Sequence, residues 1–557
     1  MKVIECVPNI SEGRDRAVLD AVAAAVREVP GVELLDVDPG AETNRTVFTF
    51  VGAPGAVGEA AFRLAETATQ LIDMRDHQGA HSRIGAVDVV PFVPVGGGAT
   101  MDDCVALARA VGRRIAEELG VPVYLYERAA TRPARQSLAE IRKGEYEGLA
   151  ARLADPEWAP DFGRAEFNPR SGATVVGARP FLIAYNVDLN TDDKKLAHDI
   201  ALEIREQGRK ARGPDGKFLK DASGSDVMRP GRLPAVRAVG WYIPEFGRAQ
   251  VSINLLDFSV TPPHVAFDVV REEARARGLR VTGSELVGLI PLDALLAAGR
   301  HFLAAQGKSP AVPEPDLVRA ARTSLGLDDV KPFDPANAVI EYRLAPRERG
   351  LRGLTLVGFA DELSRSTPAP GGGSVSALAG ALAGGLAAMV AALTHGAAGA
   401  ARRAELESLG SEAQALKDRL LLAIDDDSAA FDAIVAARRL PKATPEQQTA
   451  RENAILAATR RAIEVPLSVV EAAAALGALA ERAAAIGMAA ALSDVGVAAW
   501  CARTAAEGAA LNVRINLPGL PDEPERGAWL ARLHAALAAA RTRCDAALAQ
   551  VERGLET

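Results

Sequence analysis

VELLDVDPGAETNRTVFTFVG, residues 32–52 of the 557-residue chain, is the stretch on which the fold of the first half turns. Val32–Val37 and Thr46–Gly52 are short β-branched runs of the kind that suit a pleated strand. Between them Asp38, Pro39 and Gly40 break the pattern, as a turn does. On either side the period lengthens: apolar residues recur at helical spacing over 14–29 and again over 55–72. Further out lie two more strand-like runs, Val3–Val7 and Val87–Val95. The order is βαββαβ, with a helical pattern over 101–119 and a strand over 121–126 behind it.

The same order returns downstream. Phe181–Leu189 is strand-like, Asp192–Glu206 helical, and Ala235–Ile243 and Ala249–Asp257 are strands. A helix follows over Pro263–Arg277, with Thr261 placed to cap it and prolines suited to its first turn. Leu286–Leu292 closes the unit. The expectation is two α/β subdomains, 1–178 and 179–325, each βαββαβ and ferredoxin-like. Gly208–Pro234, rich in Gly, Pro, Lys and Arg, reads as a long mobile loop. Prolines and charges over 326–354 suit a linker. From 355 to 557 strand signals nearly vanish and Ala dominates, with helices expected over 374–395, 399–436, 446–482, 488–511 and 525–553. That is an all-α bundle.

Hydrophobic residues make up 48% and charged residues 24%, a globular balance that argues against disorder. A net charge of -8 and 4% aromatics supply neither the basic field nor the stacking platforms that nucleic acid needs. Cys6, Cys104, Cys501 and Cys544 are scattered, with no zinc spacing and no disulfide framework. An acid, Glu5, interrupts the first apolar run, so no signal-peptide pattern is present and a cytoplasmic setting is expected. Residues 374–394 carry no charge and are long enough to span a bilayer. Their Ala and Gly content gives weak insertion energy, so a buried bundle helix is expected, and no membrane.

Five groupings interrupt this pattern. The densest, Asp73 to Asp88, holds His77, His81, Arg75 and Arg83 between a helix end and a strand start. It reads equally as an ordinary polar turn; a His77/His81 metal pair lacks an obvious third ligand. Asn9 and Ser11 follow the first strand, where either is placed to cap the next helix, whose N-terminus can instead bind an anion, and where Asn9 can orient a substrate. Asp38 and Arg45 flank the turn quoted above, where Arg45 can meet a substrate carboxylate. In the helical half, Gly371, Gly372 and Gly373 open the uncharged helix as an amide nest or a plain linker. Asp425, Asp426 and Asp427 are spread around a helix by 100° steps, so at least one faces inward. A buried carboxyl has a raised pKa and suits proton transfer.

Together these pieces resemble the formimidoyltransferase-cyclodeaminase family. The likeness rests on Glu5–Gly13, Leu34–Asp38, Thr43–Thr46, Asp73–Asp88, Val121–Tyr126, Trp158–Gly163 and Ser252–Phe258. In the second half it rests on Ala369–Val375, Arg439–Pro445 and Asn512–Asn516, in the same order. The resemblance implies transfer of a formimino group from N-formimino-L-glutamate to tetrahydrofolate, a co-substrate. Closure of 5-formiminotetrahydrofolate to 5,10-methenyltetrahydrofolate, with loss of ammonia, would follow. It implies no metal and no nucleotide, and a homo-oligomer, up to an octamer. The family's transferase histidine falls on His81 and its cyclodeaminase carboxylate on Asp427. Its folate-binding stretch falls on Gly163, Arg164, Ala165, Glu166, Phe167, Asn168, Pro169, Arg170, Ser171 and Gly172, expected in a cleft between the two α/β units. The alternative is a transferase fused to a cyclohydrolase-like or non-catalytic, oligomerising bundle.

Overall fold

The computed structural model describes residues 2–41, 43–79, 81–96, 98–344, 350–396 and 400–556, save the side chains of 400 and 401. The first α/β portion runs β1 (Val3–Cys6), β2 (Asn9–Ile10), α1 (Arg16–Arg27), β3 (Val32–Gly40), β4 (Arg45–Gly52), α2 (Pro54–Leu71), β5 (Val87–Gly96), α3 (Met101–Leu119) and β6 (Val123–Glu127). Two short helices, α4 (Leu138–Ile141) and α5 (Glu145–Leu153), precede β7 (Thr174–Ala178). The second portion runs β8 (Ile183–Leu189), α6 (Lys194–Ile204), β9 (Arg209–Lys210), β10 (Met228–Arg229), β11 (Val236–Ile243), β12 (Arg248–Leu255), α7 (Pro263–Ala276) and β13 (Val281–Val287).

In the first sheet the strands lie β3-β4-β1-β5 and are antiparallel, as a split βαββαβ unit requires. β7 and β6 extend it in parallel beyond β5. β7 is among the elements the pattern missed: five residues inserted between strands far from it in sequence. The second sheet repeats the order as β11-β12-β8-β13, again antiparallel. Alternation decides which face is buried. Ile4 and Cys6 of β1 join Phe48, Phe50 and Phe92 under α1 and α2, while Glu5 points to the opposite face. Glu5 is 2% exposed, and burial pushes its carboxyl up to about 7, against a weaker pull from Arg179. A raised acid pKa costs stability as pH climbs from the unfolded value near 4.5 to about 7. Glu5→Gln is therefore expected to stabilise the chain above pH 7, by about 3 kcal/mol, and to do little near pH 4. Melting both proteins at the two pH values checks it.

Gly208–Pro234 is not the open loop its composition suggests. β9 and β10 pair antiparallel, and bridges at Arg212–Phe218 and Lys220–Asp226 continue the structure outward. Asp226 holds Lys210 and Lys220, each at 2.6 Å, and Arg212 lies over the Phe218 ring. Thr261 does not cap α7; its hydroxyl donates to the Pro234 carbonyl, and Pro262 holds the cap position.

Further helices are α8 (Leu292–Ala305), α9 (Glu314–Leu325), α10 (Pro335–Ala338) and α11 (Ile340–Leu344). The chain divides into two compact units, 1–295 with 325–345, and 296–324 with 346–557. Within the first, part of the stretch expected as a linker is pinned down. Arg343 donates to the Leu35 carbonyl at 2.6 Å, and Lys331 pairs with Glu285 at 2.6 Å.

The second unit is helical: α12 (Leu356–Leu363), α13 (Gly372–His395), α14 (Ala400–Arg438), α15 (Pro445–Ile486), α16 (Leu492–Asn516) and α17 (Glu523–Leu555). Its core is mostly Ala, Leu and Val, and small side chains bring helices close. A Cβ on Gly380 would lie 2.9 Å from Leu420 Cδ1, and one on Gly384 2.9 Å from the Ala413 carbonyl. α13 and α15 are long and apolar enough to cross a membrane, yet 56% and 67% of their apolar windows is buried within the fold. Much of that apolar surface therefore serves the bundle's own core.

Candidate active sites

In the first unit three loops meet: the turn after β2, the β3–β4 connection and the segment between α2 and β5. Asn9 lies opposite Val47 and Val89, so it faces the same side as they do. Its Nδ2 donates to the Val7 carbonyl at 2.9 Å, and its Oδ1 accepts from Arg45. Neither Asn9 nor Ser11 caps α1: Asp15 does, and Ser11 donates to the Gly85 carbonyl at 2.7 Å. Glu12 turns back and accepts the N–H groups of Gly13, Arg14 and Asp15 at 2.7–2.9 Å. Asp38 stands exposed on β3 and adds a negative field at Arg45.

The two histidines of the dense loop differ in their bonding. His77 takes a hydrogen bond from Arg83 Nε on Nδ1 (3.1 Å), so its proton sits on Nε2, which donates to the Asn44 carbonyl at 2.9 Å. Both nitrogens are engaged, and the buried Arg83 is itself held by Glu145 and Glu147. His81 uses only Nδ1, which donates to the Ser82 carbonyl at 2.7 Å. Its Nε2 has no partner among the described residues, so in the neutral ring it carries a free lone pair. Burial, then the Arg45 charge, holds the His81 pKa below the ordinary histidine value, which keeps that lone pair available at neutral pH. Asp88, Arg142 and Arg45 form the charged surroundings: Arg142 pairs with Asp88, and Asp88 caps the Ile84 N–H at 3.0 Å.

Gly163–Gly172 lies between a 3-10 turn and β7. Gly163 and Gly172 have φ of +88° and +66°, and a Cβ on Gly172 would meet the Ile84 carbonyl at 2.2 Å. Arg164, Ala165 and Glu166 are exposed, while Phe167 stacks obliquely on Tyr146 at 5.4 Å. Asn168 Oδ1 accepts from Arg170 N and Ser171 N, Pro169 O accepts from Tyr146, and Arg170 reaches Gln70 O at 2.6 Å. The Met74 N–H donates to Arg170 O at 2.9 Å and the Ala86 N–H to Ser171 O at 2.9 Å. The second half of the stretch is thus laced to the segment bearing His81. The groove between the two α/β portions is elsewhere, about 560 Å³ in volume and lined by Pro94, Arg128, Phe181 and Asp257.

In the second unit the Gly-rich turn, the acid triplet and Asn512 are brought together. α13 starts at Gly372 with Gly371 at its cap. Asp427 of α14 reaches that first turn: the Ser374 hydroxyl lies 3.2 Å from its Oδ2, and a Cβ on Gly373 would come within 2.0 Å of its Oδ1. Only glycine at 373 leaves room for the carboxyl. Asn512 of α16 closes the third side, its Nδ2 3.7 Å from where a Gly372 Cβ would stand. Burial raises the Asp427 pKa, and the hydrogen bonds from Ser374 oppose this. Its neighbours are committed elsewhere. Asp425 accepts the Leu351 N–H at 2.6 Å and faces Arg352, and Asp426 pairs with Arg461 at 3.0 Å. Asp427 has no cation partner among the described residues. Ser374 was visible only as part of the Gly-rich motif, and Asn44 only as part of Thr43–Thr46; neither carried a signal of its own.

Among the described residues no group of three or more His, Cys, Asp or Glu is arranged to hold a metal ion. Family models match in three consecutive blocks. The N-terminal subdomain of the formiminotransferase domain covers 3–179, the formiminotransferase domain 184–345, and formiminotransferase-cyclodeaminase 355–535. The formimidoyltransferase-cyclodeaminase of Rattus norvegicus is 44% identical over 560 residues, 99% of each chain. That of Dictyostelium discoideum is 41% identical over 526 residues, 93% of this chain and 92% of the other. A glutamate formimidoyltransferase of Streptococcus pyogenes serotype M1 is 41% identical over 302 residues, 54% of this chain and 93% of its own.

Proposed function

The chain belongs to the formimidoyltransferase-cyclodeaminase family, and we propose that its two reactions run at the His81 and Asp427 sites. It is a bifunctional enzyme of histidine breakdown and one-carbon metabolism: it moves the formimino group from N-formimino-L-glutamate to tetrahydrofolate, then cyclises the product and releases ammonia. The observation that carries the site assignment is the pattern of partners. Among the described residues, only His81 of the two loop histidines keeps a ring nitrogen free, and only Asp427 of the three aspartates lacks a cation.

In the first reaction N5 of tetrahydrofolate attacks the formimino carbon. His81 Nε2 takes the N5 proton and returns it to the departing glutamate nitrogen. Arg45, held by Asn9, meets a donor carboxylate, with Asp38 at the rim. Gly163–Gly172 lies where it can hold the folate beside the His81 segment. In the second reaction N10 attacks the same carbon; Asp427 accepts its proton and passes it to the amine, which leaves as ammonia. The first turn of α13 at Gly371–Gly373 lies against Asp427, with the Asn512 amide beside Gly372.

The order of the antiparallel strands supports a ferredoxin-like reading of both α/β portions. Outward apolar stripes on α13 (Leu382, Met389, Leu393) and α16 (Val497, Trp500, Leu511, Ile515) support a homo-oligomer; the octamer rests on the family resemblance alone. Neither reaction as written needs a metal or nucleotide, and the setting proposed is the cytoplasm.

The pH profiles of the two half-reactions test the assignment. A base is lost as pH falls through its pKa. The acid limb of transfer is therefore expected below the ordinary histidine range, and that of cyclodeamination above the ordinary aspartate range. Stopped assays on each substrate measure both; a transfer limb well above the histidine range removes His81 as the base.

A further inference from the structure

Arg45 opens β4 straight after the β3–β4 turn and His81 lies on the α2–β5 loop, and one side chain joins that turn and that loop to a third. Asn44 is 7% exposed and holds φ +48°, a left-handed conformation that non-glycine residues seldom adopt. Asn and Asp tolerate it best, because a short polar side chain can bond locally. Here the side chain bonds outward instead. Its Oδ1 accepts the Gly13 N–H at 3.0 Å, tying the β2–α1 turn, and its Nδ2 donates to the Gln78 carbonyl at 3.0 Å, tying the segment that leads to His81. Its own carbonyl accepts from His77 Nε2 at 2.9 Å. Gly79 presses on the same point, since a Cβ there would lie 2.2 Å from the Thr43 carbonyl and 3.0 Å from Asn44 Cβ.

We propose that Asn44 is a positioning residue of the transferase site, setting Arg45 and the His81 segment in register for the donor substrate. The inference rests on the reading that His81 and Arg45 form that site. The left-handed turn at 44 aims the next residue, Arg45, at Asn9, and the two amide bonds hold the flanking loops at that distance. His77 belongs to the same lace: with Arg83 on one nitrogen and Asn44 on the other, it serves as a strut. Asn44 itself touches no reacting atom in this account and acts only through its neighbours.

Two substitutions separate the side-chain bonds from the backbone shape. Asn44→Gly keeps the left-handed turn and the carbonyl that His77 uses, and removes both amide bonds. Asn44→Asp keeps the acceptor for Gly13 and sets a carboxylate oxygen against the Gln78 carbonyl in place of the donor. In the full-length chain both variants are expected to raise KM for formiminoglutamate about tenfold or more. KM for tetrahydrofolate should stay within about twofold, and so should cyclodeamination of supplied 5-formiminotetrahydrofolate, which reports on the fold. A purely structural role would lower transfer kcat at unchanged KM, through a smaller active fraction, and that result overturns the inference. So does wild-type KM for both substrates. His81→Ala, run alongside, separates the two levels. If it abolishes transfer while the Asn44 variants behave as wild type, only the Asn44 inference fails. If it leaves transfer intact, the site reading fails and Asn44 falls with it.

Discussion

His81→Ala is expected to lower formimino transfer by about 10²–10⁴-fold while cyclodeamination of supplied 5-formiminotetrahydrofolate stays within about twofold of wild type. The size follows from what is removed. N5 of tetrahydrofolate must lose a proton as it attacks, and the glutamate nitrogen must gain one as it leaves. A single imidazole nitrogen can serve both events in sequence, provided its other nitrogen is fixed. Ser82 O fixes Nδ1, and burial beside Arg45 keeps the ring neutral at the start. His77→Ala removes a strut rather than a proton carrier, so its loss should be smaller and should leave the acid limb of the pH profile in place. If His77→Ala were the more damaging, with that limb gone, the roles would be reversed.

Asp427→Asn is expected to lower ammonia release by a similar ~10²–10⁴-fold, with glutamate still released and 5-formiminotetrahydrofolate accumulating. Asparagine keeps the shape against Gly373 and Ser374 and loses the basic oxygen. The two adjacent acids make the control. Asp426→Asn gives up a surface pair with Arg461, worth ~1 kcal/mol or less, and should leave turnover nearly unchanged. Asp425→Asn weakens the tie to Leu351 and Arg352 and should tell on stability more than on chemistry. Gly373→Ala reaches the same catalytic end by another route, because its Cβ would claim the space of Asp427 Oδ1. Product analysis by absorbance for methenyltetrahydrofolate, with glutamate and ammonia measured in parallel, separates Asp427→Asn and Gly373→Ala from the two controls, and melting separates Asp425→Asn from Asp426→Asn.

Much of the architecture was legible because its signals are periodic. The βαββαβ order shows wherever the apolar period changes from two to 3.6, and the bundle shows where strand signals stop. What escaped was non-local. β7 is five residues long and gains its place only by pairing in parallel with β5 and β6. Residues 208–234 read as a loop because charge and glycine dominate, yet Asp226 between two lysines and Phe218 under Arg212 tie that charge down. The candidate sites divide the same way. His81, Arg45 and Asn9 stood out as polar groups at strand ends, and the structure gathers them. The acid triplet announced that one carboxyl turns inward, but 100° steps do not say which. The partners of Asp425 show only once Leu351 and Arg352 are placed in space, and that of Asp426 only once Arg461 is. Asn44 lay unremarked within Thr43–Thr46, and its place shows only where three loops meet on it.

The measurement that tests the central claim most directly mixes the two single-site variants. His81→Ala and Asp427→Asn, each purified, are given formiminoglutamate and tetrahydrofolate, alone and together, while glutamate, ammonia and methenyltetrahydrofolate are followed. Two separate sites on one chain predict that the first variant releases nothing and the second releases glutamate only. The mixture should then restore methenyltetrahydrofolate and ammonia, as 5-formiminotetrahydrofolate made by one variant reaches the other. A wild-type chain that releases glutamate but never ammonia, or an Asp427→Asn variant that alone makes methenyltetrahydrofolate at the wild-type rate, would contradict it.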